Sequence, residues 1–202
     1  FAKMLTTFQQ HIVQEQTRRP GSPMELQWLL SAVILASKLI QAQVRRAGLG
    51  NILGPLEDIN PHGEIQQKLD VFANETMIRC FSLRESVGVI ASEENEHPLV
   101  VHKDSPNAQY AIVFDPLDGS SNIDTNVSIG TIFSIRPFSG DRMEPFLCDG
   151  RRQLAAGFLI YGPQLALVLT LGQGTAIFIY SHAAGDFLLS TPACEVPVKR
   201  PA

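Results

Sequence analysis

Two apolar segments of this 202-residue chain end in carboxylic acids. Val87–Ser92 runs directly into Glu93 and Glu94, and Tyr110–Phe114 runs directly into Asp115. Ionised carboxylates at the ends of buried strands cost several kcal/mol when they lose water without gaining a partner. A divalent cation is such a partner, because hard ions such as Mg²⁺ prefer carboxylate and carbonyl oxygens. The positions of these acids therefore predict a divalent metal site.

Asp115-Pro-Leu-Asp118 continues the second segment and places two carboxylates three residues apart. Pro116 stiffens this turn, so that the two carboxylates can converge and the carbonyl of Leu117 can point toward the same ion. Gly119-Ser-Ser-Asn122 follows, and a short Gly/Ser segment offers backbone N–H groups and hydroxyls to a phosphate. Metal-binding acids beside a phosphate site are typical of two-metal phosphoryl hydrolysis.

The same Asp-Pro-x-Asp-Gly-Ser string is also typical of an ordinary turn, and alone it favours neither interpretation. Two further acidic segments favour a site, because Glu93-Glu94 ends a neighbouring strand and Gly63-Glu-x-x-x-Lys-Leu-Asp70 lies upstream. Glu64 and Asp70 are separated by roughly 240° around one helix, so they cannot both face one cation from a continuous helix. Either the helix begins near Lys68 and leaves Glu64 on the preceding loop, or Glu64 is not a ligand. Pro61 and Gly63 argue against an earlier helix start and favour the first alternative.

Helices come first in the chain, and strands follow. Ser22-Pro-Met-Glu25 is a capping box with proline at the first helical position, and apolar residues then recur at three- and four-residue steps as far as Val44. A third helix is predicted over 68–81, and Gly50–Gly63 is interpreted as a mobile loop. The later apolar runs have strand length: Val87–Ala91, Tyr110–Phe114, Thr131–Ile135, Ala155–Tyr161, Leu165–Leu171, Thr175–Tyr180 and Phe187–Leu189. This order predicts an α+β fold in which N-terminal helices flank one large, mostly antiparallel mixed sheet.

The composition excludes several classes of protein. The chain carries 20 acidic and 16 basic residues, for a formal net charge of −4, so no nucleic-acid partner is expected. Its longest apolar stretch, Leu29–Ile40, is interrupted by two serines and a lysine and is too short for a membrane span of about 20 residues. Cys80, Cys148 and Cys194 are far apart, which argues against a disulfide framework or a zinc site and favours a cytoplasmic protein.

Several strings together resemble class I fructose-1,6-bisphosphatases: Gly63-Glu-Ile-Gln-Gln-Lys-Leu-Asp-Val71, Ala91-Ser-Glu-Glu94, Phe114-Asp-Pro-Leu-Asp-Gly-Ser-Ser-Asn-Ile-Asp124, Val127-Ser-Ile-Gly-Thr-Ile-Phe133 and Ala155-Ala-Gly-Phe158. The resemblance runs in order from about Leu5 to Leu189. It implies a layered α/β/α sandwich of the sugar-phosphatase type and a homotetramer. Residues 1–202 are then expected to form the N-terminal metal-binding domain of a longer chain, without its C-terminal sugar-binding portion.

The resemblance also implies roles for individual residues. The implied metal ligands, shared among two or three Mg²⁺ ions with Mn²⁺ or Zn²⁺ as alternatives, are Glu64, Glu93, Asp115, the Leu117 carbonyl and Asp118. Asp70 and Glu94 match the acids that orient and deprotonate the attacking water. The implied contacts to the scissile 1-phosphate are Asp118, Gly119, Ser120, Ser121 and Asn122. The implied reaction hydrolyses a small-molecule sugar bisphosphate, fructose 1,6-bisphosphate, to fructose 6-phosphate and phosphate.

Alternatives to this reaction stay open. An inositol-monophosphatase-type enzyme shares the two acids and the Asp-Pro-x-Asp-Gly core, but usually continues with a single Thr in place of Ser-Ser-Asn. A sedoheptulose-bisphosphate phosphatase and an inactive truncated fragment that keeps a metal site are the others. AMP inhibition is not expected, because Pro23-Met-Glu-Leu-Gln27 and Gln109 replace the Thr-Gly-Glu-Leu-Thr and Lys of AMP-inhibited members, and phosphate recognition relies on such donors.

Overall fold

Within the described residues, three helices precede the main sheet. The computed structural model describes residues 5–18, 24–46, 55–59, 65–102, 104–120, 127–195 and 197. Helix α1 covers Phe8–Arg18, α2 covers Met24–Val44 and α3 covers Lys68–Ser82. The prediction of a helix that begins near Lys68 is confirmed. Ser22 and Pro23 of the predicted capping box lie outside the described residues.

The described strands form a small pair and a large sheet. β1 (Pro55–Ile59) and β2 (Ile65–Gln67) pair antiparallel. The remaining strands are β3 (Val87–Ser92), β4 (Leu99–Val100), β5 (Tyr110–Asp118), β6 (Ile129–Pro137), β7 (Ala155–Tyr161), β8 (Leu165–Thr170), β9 (Thr175–Ser181) and β10 (Asp186–Thr191). They form an eight-stranded sheet in the order β10-β9-β8-β7-β6-β5-β3-β4, and a short helix, α4 (Glu144–Leu147), lies between β6 and β7.

The pairing confirms a mostly antiparallel mixed sheet. In the part of the sheet that is described, β3 and β5 run parallel and the other neighbours run antiparallel. The interpretation of Gly50–Gly63 as loop was wrong for Pro55–Ile59, which forms β1. A strand that starts with proline and carries two acids lacks the apolar alternation that predicts strands, and its pairing with β2 is what makes it one.

One continuous core lies between the helices and one face of the sheet. Its members include Leu29 and Ile40 of α2, Phe81 of α3 and Phe178 and Phe187 of the sheet. The opposite face carries a small cluster around Val89, Ala111 and Phe138, and farther along it Ile132, Phe158 and Ile160 are exposed. Among the described residues, therefore, the helices cover chiefly one face. None of the helices described here has the length and apolar character needed to cross a membrane.

Candidate metal and phosphate site

The parallel pairing of β3 and β5 brings two acidic strand ends together. Ser92 lies opposite Phe114 in the sheet, and the backbone N–H of Glu93 donates to the carbonyl of Phe114 at 3.0 Å. Neighbouring strands lie about 4.8 Å apart, so the residues that follow these two positions emerge side by side. Glu93 and Glu94 therefore meet Asp115 at one edge of the sheet.

Helix α3 adds a third acidic element at the same edge. Asp70 stands in its first turn and is only 2% exposed. The helix packs against β3 and β5, and its Phe81 ring lies 6.0 Å, between centroids, from the ring of Phe114. A carboxylate in the first turn of a helix is stabilised by the helix dipole. Asn74, one helical turn after Asp70, accepts a hydrogen bond from Ser92 at the end of β3 at 2.8 Å, so the fold holds Asp70 near the ends of the two parallel strands.

The electrostatics show that these acids share one environment. The pKa of Glu94 is raised to about 7, first by burial and then by the charges of Asp70, Glu93 and Asp115, with a hydrogen bond to Glu93 as a further cause. Each of these causes favours the protonated form of Glu94. Four carboxylates from three elements therefore oppose further negative charge, and a divalent cation would relieve that repulsion.

A β-bulge shapes the end of β5. Asp115 pairs with Ile132 and Asp118 pairs with Gly130, so β5 advances three residues where β6 advances two. One carboxylate oxygen of Asp115 accepts the backbone N–H of Leu117 at 3.0 Å. The Leu117 side chain is buried, whereas the Asp118 side chain is exposed. Bulges redirect side chains at sheet ends. This bulge turns the Asp118 side chain toward solvent, while the Leu117 side chain packs in the core.

Gly119 ends the bulged strand with a left-handed backbone. Its φ is +80°, a conformation that costs other L-residues roughly 1–2 kcal/mol. Ser120 follows in a turn and is half-buried. This part of the predicted phosphate segment has the tight, glycine-dependent backbone that a phosphate-binding turn requires.

A buried amide that the sequence did not single out ties two of the acidic elements together. Ser92 Oγ donates to Asn74 Oδ1 at 2.8 Å, and Asn74 Nδ2 donates to Asn95 Oδ1 at 3.0 Å. The backbone N–H of Glu94 donates to Ser92 Oγ at 3.3 Å. Asn74 is 8% exposed and lies one helical turn after Asp70. A polar residue at that buried helical spacing was the signal that could have identified it.

The predicted site residues fall into three groups. The structure brings together Asp70, Glu93, Glu94 and Asp115, and it places the Leu117 carbonyl, Asp118, Gly119 and Ser120 along the bulge and the turn that follows. Glu64, Ser121 and Asn122 lie outside the described residues.

The types of donor atom fit a hard cation, although the described side chains do not surround a single ion position. The donor atoms are carboxylate and carbonyl oxygens, which suit Mg²⁺ or Mn²⁺. Across the described part of the chain, no three acidic, histidine or cysteine side chains are arranged to hold an ion together. Charge crowding supplies the attraction for a cation, and adjustment of the acidic side chains, with the Leu117 carbonyl beside them, would complete the shell.

A depression of about 480 Å³ borders Asp115 on the open face of the sheet. Its lining is largely apolar, with Ile132, Phe158 and Val168 among its members, and it contains no lysine or arginine of the described residues. Recognition of two phosphate groups relies on cationic or N–H donors. This depression alone therefore does not supply the recognition of a sugar bisphosphate.

Comparisons with known proteins identify one family over most of the chain. Residues 6–192 match the family model of the fructose-1,6-bisphosphatase N-terminal domain. The chain is 45% identical over 188 residues to a class 1 fructose-1,6-bisphosphatase of Persephonella marina, a match that covers 93% of this chain and 58% of that protein.

Solved structures give the same result. The holo form of Leishmania major fructose-1,6-bisphosphatase superposes with a TM-score of 0.87 at 34% identity, covering 98% of this chain and 62% of that one. The T-state structure of the same enzyme gives a TM-score of 0.81 at 33% identity, covering 98% and 61%. The chain thus spans about three fifths of the length of these relatives.

Proposed function

The chain belongs to the fructose-1,6-bisphosphatase family, and on that premise we propose that its protein hydrolyses the 1-phosphate of fructose 1,6-bisphosphate with the help of divalent cations. The supporting observation is the burial of Glu94 among the charges of Asp70, Glu93 and Asp115, which together raise its pKa to about 7. A carboxylate with a pKa near neutrality is well suited to accept a proton from water at neutral pH.

In this proposal the acids of the site divide into two roles. The residues that would hold the ions are Glu64, Glu93, Asp115, Asp118 and, through its carbonyl, Leu117. When bound, Mg²⁺ offsets the charge of the phosphoryl oxygens and acidifies water; we propose two or three such ions. Asp70 orients the attacking water, and Glu94 accepts its proton as the water oxygen bonds to phosphorus. The bond from phosphorus to the sugar O1 breaks, and O1 leaves with the electron pair and takes up a proton from solvent water. The segment Asp118–Asn122 holds the phosphoryl group.

We further propose that the protein is a cytoplasmic homotetramer. α2 presents four exposed apolar side chains on one face, at steps of four, seven and four residues: Met24, Trp28, Leu35 and Leu39, which are 66%, 57%, 48% and 45% exposed. An exposed apolar stripe of this kind is typical of a protein interface, and a second copy of the chain is its proposed occupant. Light scattering on the purified protein should give a mass of four chains, and a monomer at micromolar concentration would contradict the proposal.

Phosphate release from fructose 1,6-bisphosphate, measured with and without Mg²⁺, tests the proposed reaction. Asp118→Ala should abolish Mg²⁺-dependent turnover, by on the order of 10³-fold or more. Cys148→Ser is the control, because Cys148 is free and its thiol contacts none of the proposed site residues: it donates to the Pro145 carbonyl at 3.2 Å and accepts from Arg136 Nη1 at 3.2 Å. Equal activity in both variants would mean that the site is misplaced.

Two outcomes of the same assay would favour the other interpretations. Faster phosphate release from inositol monophosphate than from fructose 1,6-bisphosphate would favour an inositol-monophosphatase-type enzyme. Faster release from sedoheptulose 1,7-bisphosphate would favour a sedoheptulose-bisphosphate phosphatase. Absence of turnover with retained Mn²⁺ binding would support a metal-binding fragment.

A further inference from the structure

Two buried hydroxyls lie under the bulge that carries Asp115 and Asp118. Thr131 of β6 is 0% exposed, and its hydroxyl donates to the carbonyl of Pro116 at 2.7 Å. Tyr161 of β7 is 3% exposed, and its hydroxyl lies 2.7 Å from Thr131 Oγ1. Neither Thr131 nor Tyr161 is among the residues predicted to bind metal or phosphate.

The direction of these hydrogen bonds follows from proton counting. A threonine hydroxyl carries one hydrogen, and the Pro116 carbonyl can only accept. The Thr131 hydrogen is therefore committed to Pro116, and Tyr161 must be the donor in the second bond. Burial raises the pKa of Tyr161 well above its ordinary value, so the phenol keeps this proton under ordinary conditions. The chain of donation runs from Tyr161 to Thr131 to Pro116.

The carbonyl at the end of this chain belongs to the peptide unit that joins Pro116 to Leu117. The N–H of the same unit donates to the carboxylate of Asp115 at 3.0 Å. Because the peptide unit is planar, holding its oxygen and its N–H fixes the orientation of the whole plane. The orientation of that plane sets the direction of the backbone that follows it, which carries the Leu117 carbonyl and Asp118.

We propose that Thr131 and Tyr161 are positioning residues that clamp the Pro116–Leu117 peptide and thereby aim the Leu117 carbonyl and Asp118 at the metal and phosphate site. This inference rests on the proposed function for its catalytic consequence, but the clamp itself is a property of the described structure. Valine and phenylalanine have nearly the same shape as threonine and tyrosine but lack the hydroxyls, so these substitutions test the hydrogen bonds with little change in packing.

The test compares Thr131→Val, Thr131→Ser and Tyr161→Phe in the natural protein, with Mn²⁺ affinity by titration and kcat for phosphate release as readouts. Residues that orient metal ligands typically change affinity or activity by about 10- to 100-fold when removed. Thr131→Val should weaken Mn²⁺ binding and lower kcat within that range, because Pro116 loses its donor. Thr131→Ser should restore both, and Tyr161→Phe should give an intermediate loss.

Thr170→Val is the matched control. Thr170 Oγ1 also donates to a backbone carbonyl at 2.7 Å, that of Gly174, but in an exposed hairpin turn. The Thr170→Val substitution should leave Mn²⁺ affinity and kcat unchanged.

Wild-type Mn²⁺ affinity in a folded Thr131→Val variant, or an equal loss in Thr170→Val, would overturn the inference. If Thr131→Val fails to fold, Tyr161→Phe decides alone, and unchanged affinity in that variant overturns the inference. If the wild-type protein releases no phosphate, the proposed function fails, while the Mn²⁺ titrations still decide whether the clamp exists.

Discussion

The two acidic segments of the site are held in place by different means. The Glu93-Glu94 turn is fastened by side chains from another element, because Asn74 of α3 bonds to Ser92 on one side of the turn and to Asn95 on the other. The Asp115–Asp118 segment is shaped by its own backbone, through a proline, a bulge and a bond from the Leu117 N–H to the Asp115 carboxylate.

Because the two segments are held by different contacts, we expect different substitutions to disturb each of them. The amide of Asn74 joins the helix that carries Asp70 to the turn that carries Glu94, so one substitution should disturb both proposed water-handling acids. The bulge depends on local conformation, and disturbing it should affect the proposed phosphate segment while leaving α3 in place. Three substitutions can test that division.

The largest effect is expected for Asn74→Ala. Loss of the amide leaves the buried Ser92 hydroxyl without its acceptor and should lower the free energy of unfolding by about 1–3 kcal/mol. Because the Glu93-Glu94 turn loses its fastening, kcat for phosphate release should fall by about 10- to 100-fold. Urea unfolding and steady-state kinetics measure the two effects.

Asn107→Ala provides the control for this variant. It removes an exposed amide that donates to Glu85 at 3.2 Å, and it should change neither stability nor kcat appreciably. If Asn74→Ala changed stability and kcat as little as Asn107→Ala, the hydrogen bonds from Asn74 to the turn would not contribute to activity.

A smaller effect is expected for Gly119→Ala, which tests the segment shaped by its backbone. An added Cβ would meet only Ile129 Cγ2, at 3.8 Å, so the cost comes from the φ of +80° and should be roughly 1–2 kcal/mol. Relaxation of that strain displaces Ser120 and should lower kcat by about tenfold.

Gly185→Ala separates strain from function. Gly185 has a φ of +67° with nothing within 4 Å of an added Cβ, so its substitution should cost similar stability while kcat stays at the wild-type value. A matching loss of kcat in both variants would show that strain, and not the position of Ser120, limits the rate.

The remaining prediction concerns stability alone, as a pH dependence that Glu94 should confer on the metal-free protein. Its pKa is raised from 4.5 to about 7 on folding, so between these values the folded state binds more protons than the unfolded state. The free energy of unfolding should therefore fall as pH rises through this window. Glu94→Gln should flatten that fall in urea titrations across pH, and the exposed Glu96→Gln should not. A slope that Glu94→Gln leaves unchanged would contradict the charge crowding at this edge.

The order of elements and most of their limits could be predicted from the chain alone. α3 begins at Lys68, where Pro61 and Gly63 argued against an earlier start, and β7 covers the predicted Ala155–Tyr161. Periodicity and breakers are local signals, and local signals suffice where an element's own residues decide its form. β1, β2 and the two-residue β4 were missed, because such short strands depend on their partner strands for their form.

Residue types and their spacing along the chain were enough to predict the acidic segments, their chemistry and the α+β order of the elements. The bonds from Asn74 to the Glu93-Glu94 turn, and from Thr131 and Tyr161 toward the Pro116 carbonyl, became visible only in the folded chain. Each of these bonds joins residues from 15 to 30 positions apart. The partner of a buried polar group depends on which strands pair and which helix covers them, and no local pattern records that choice.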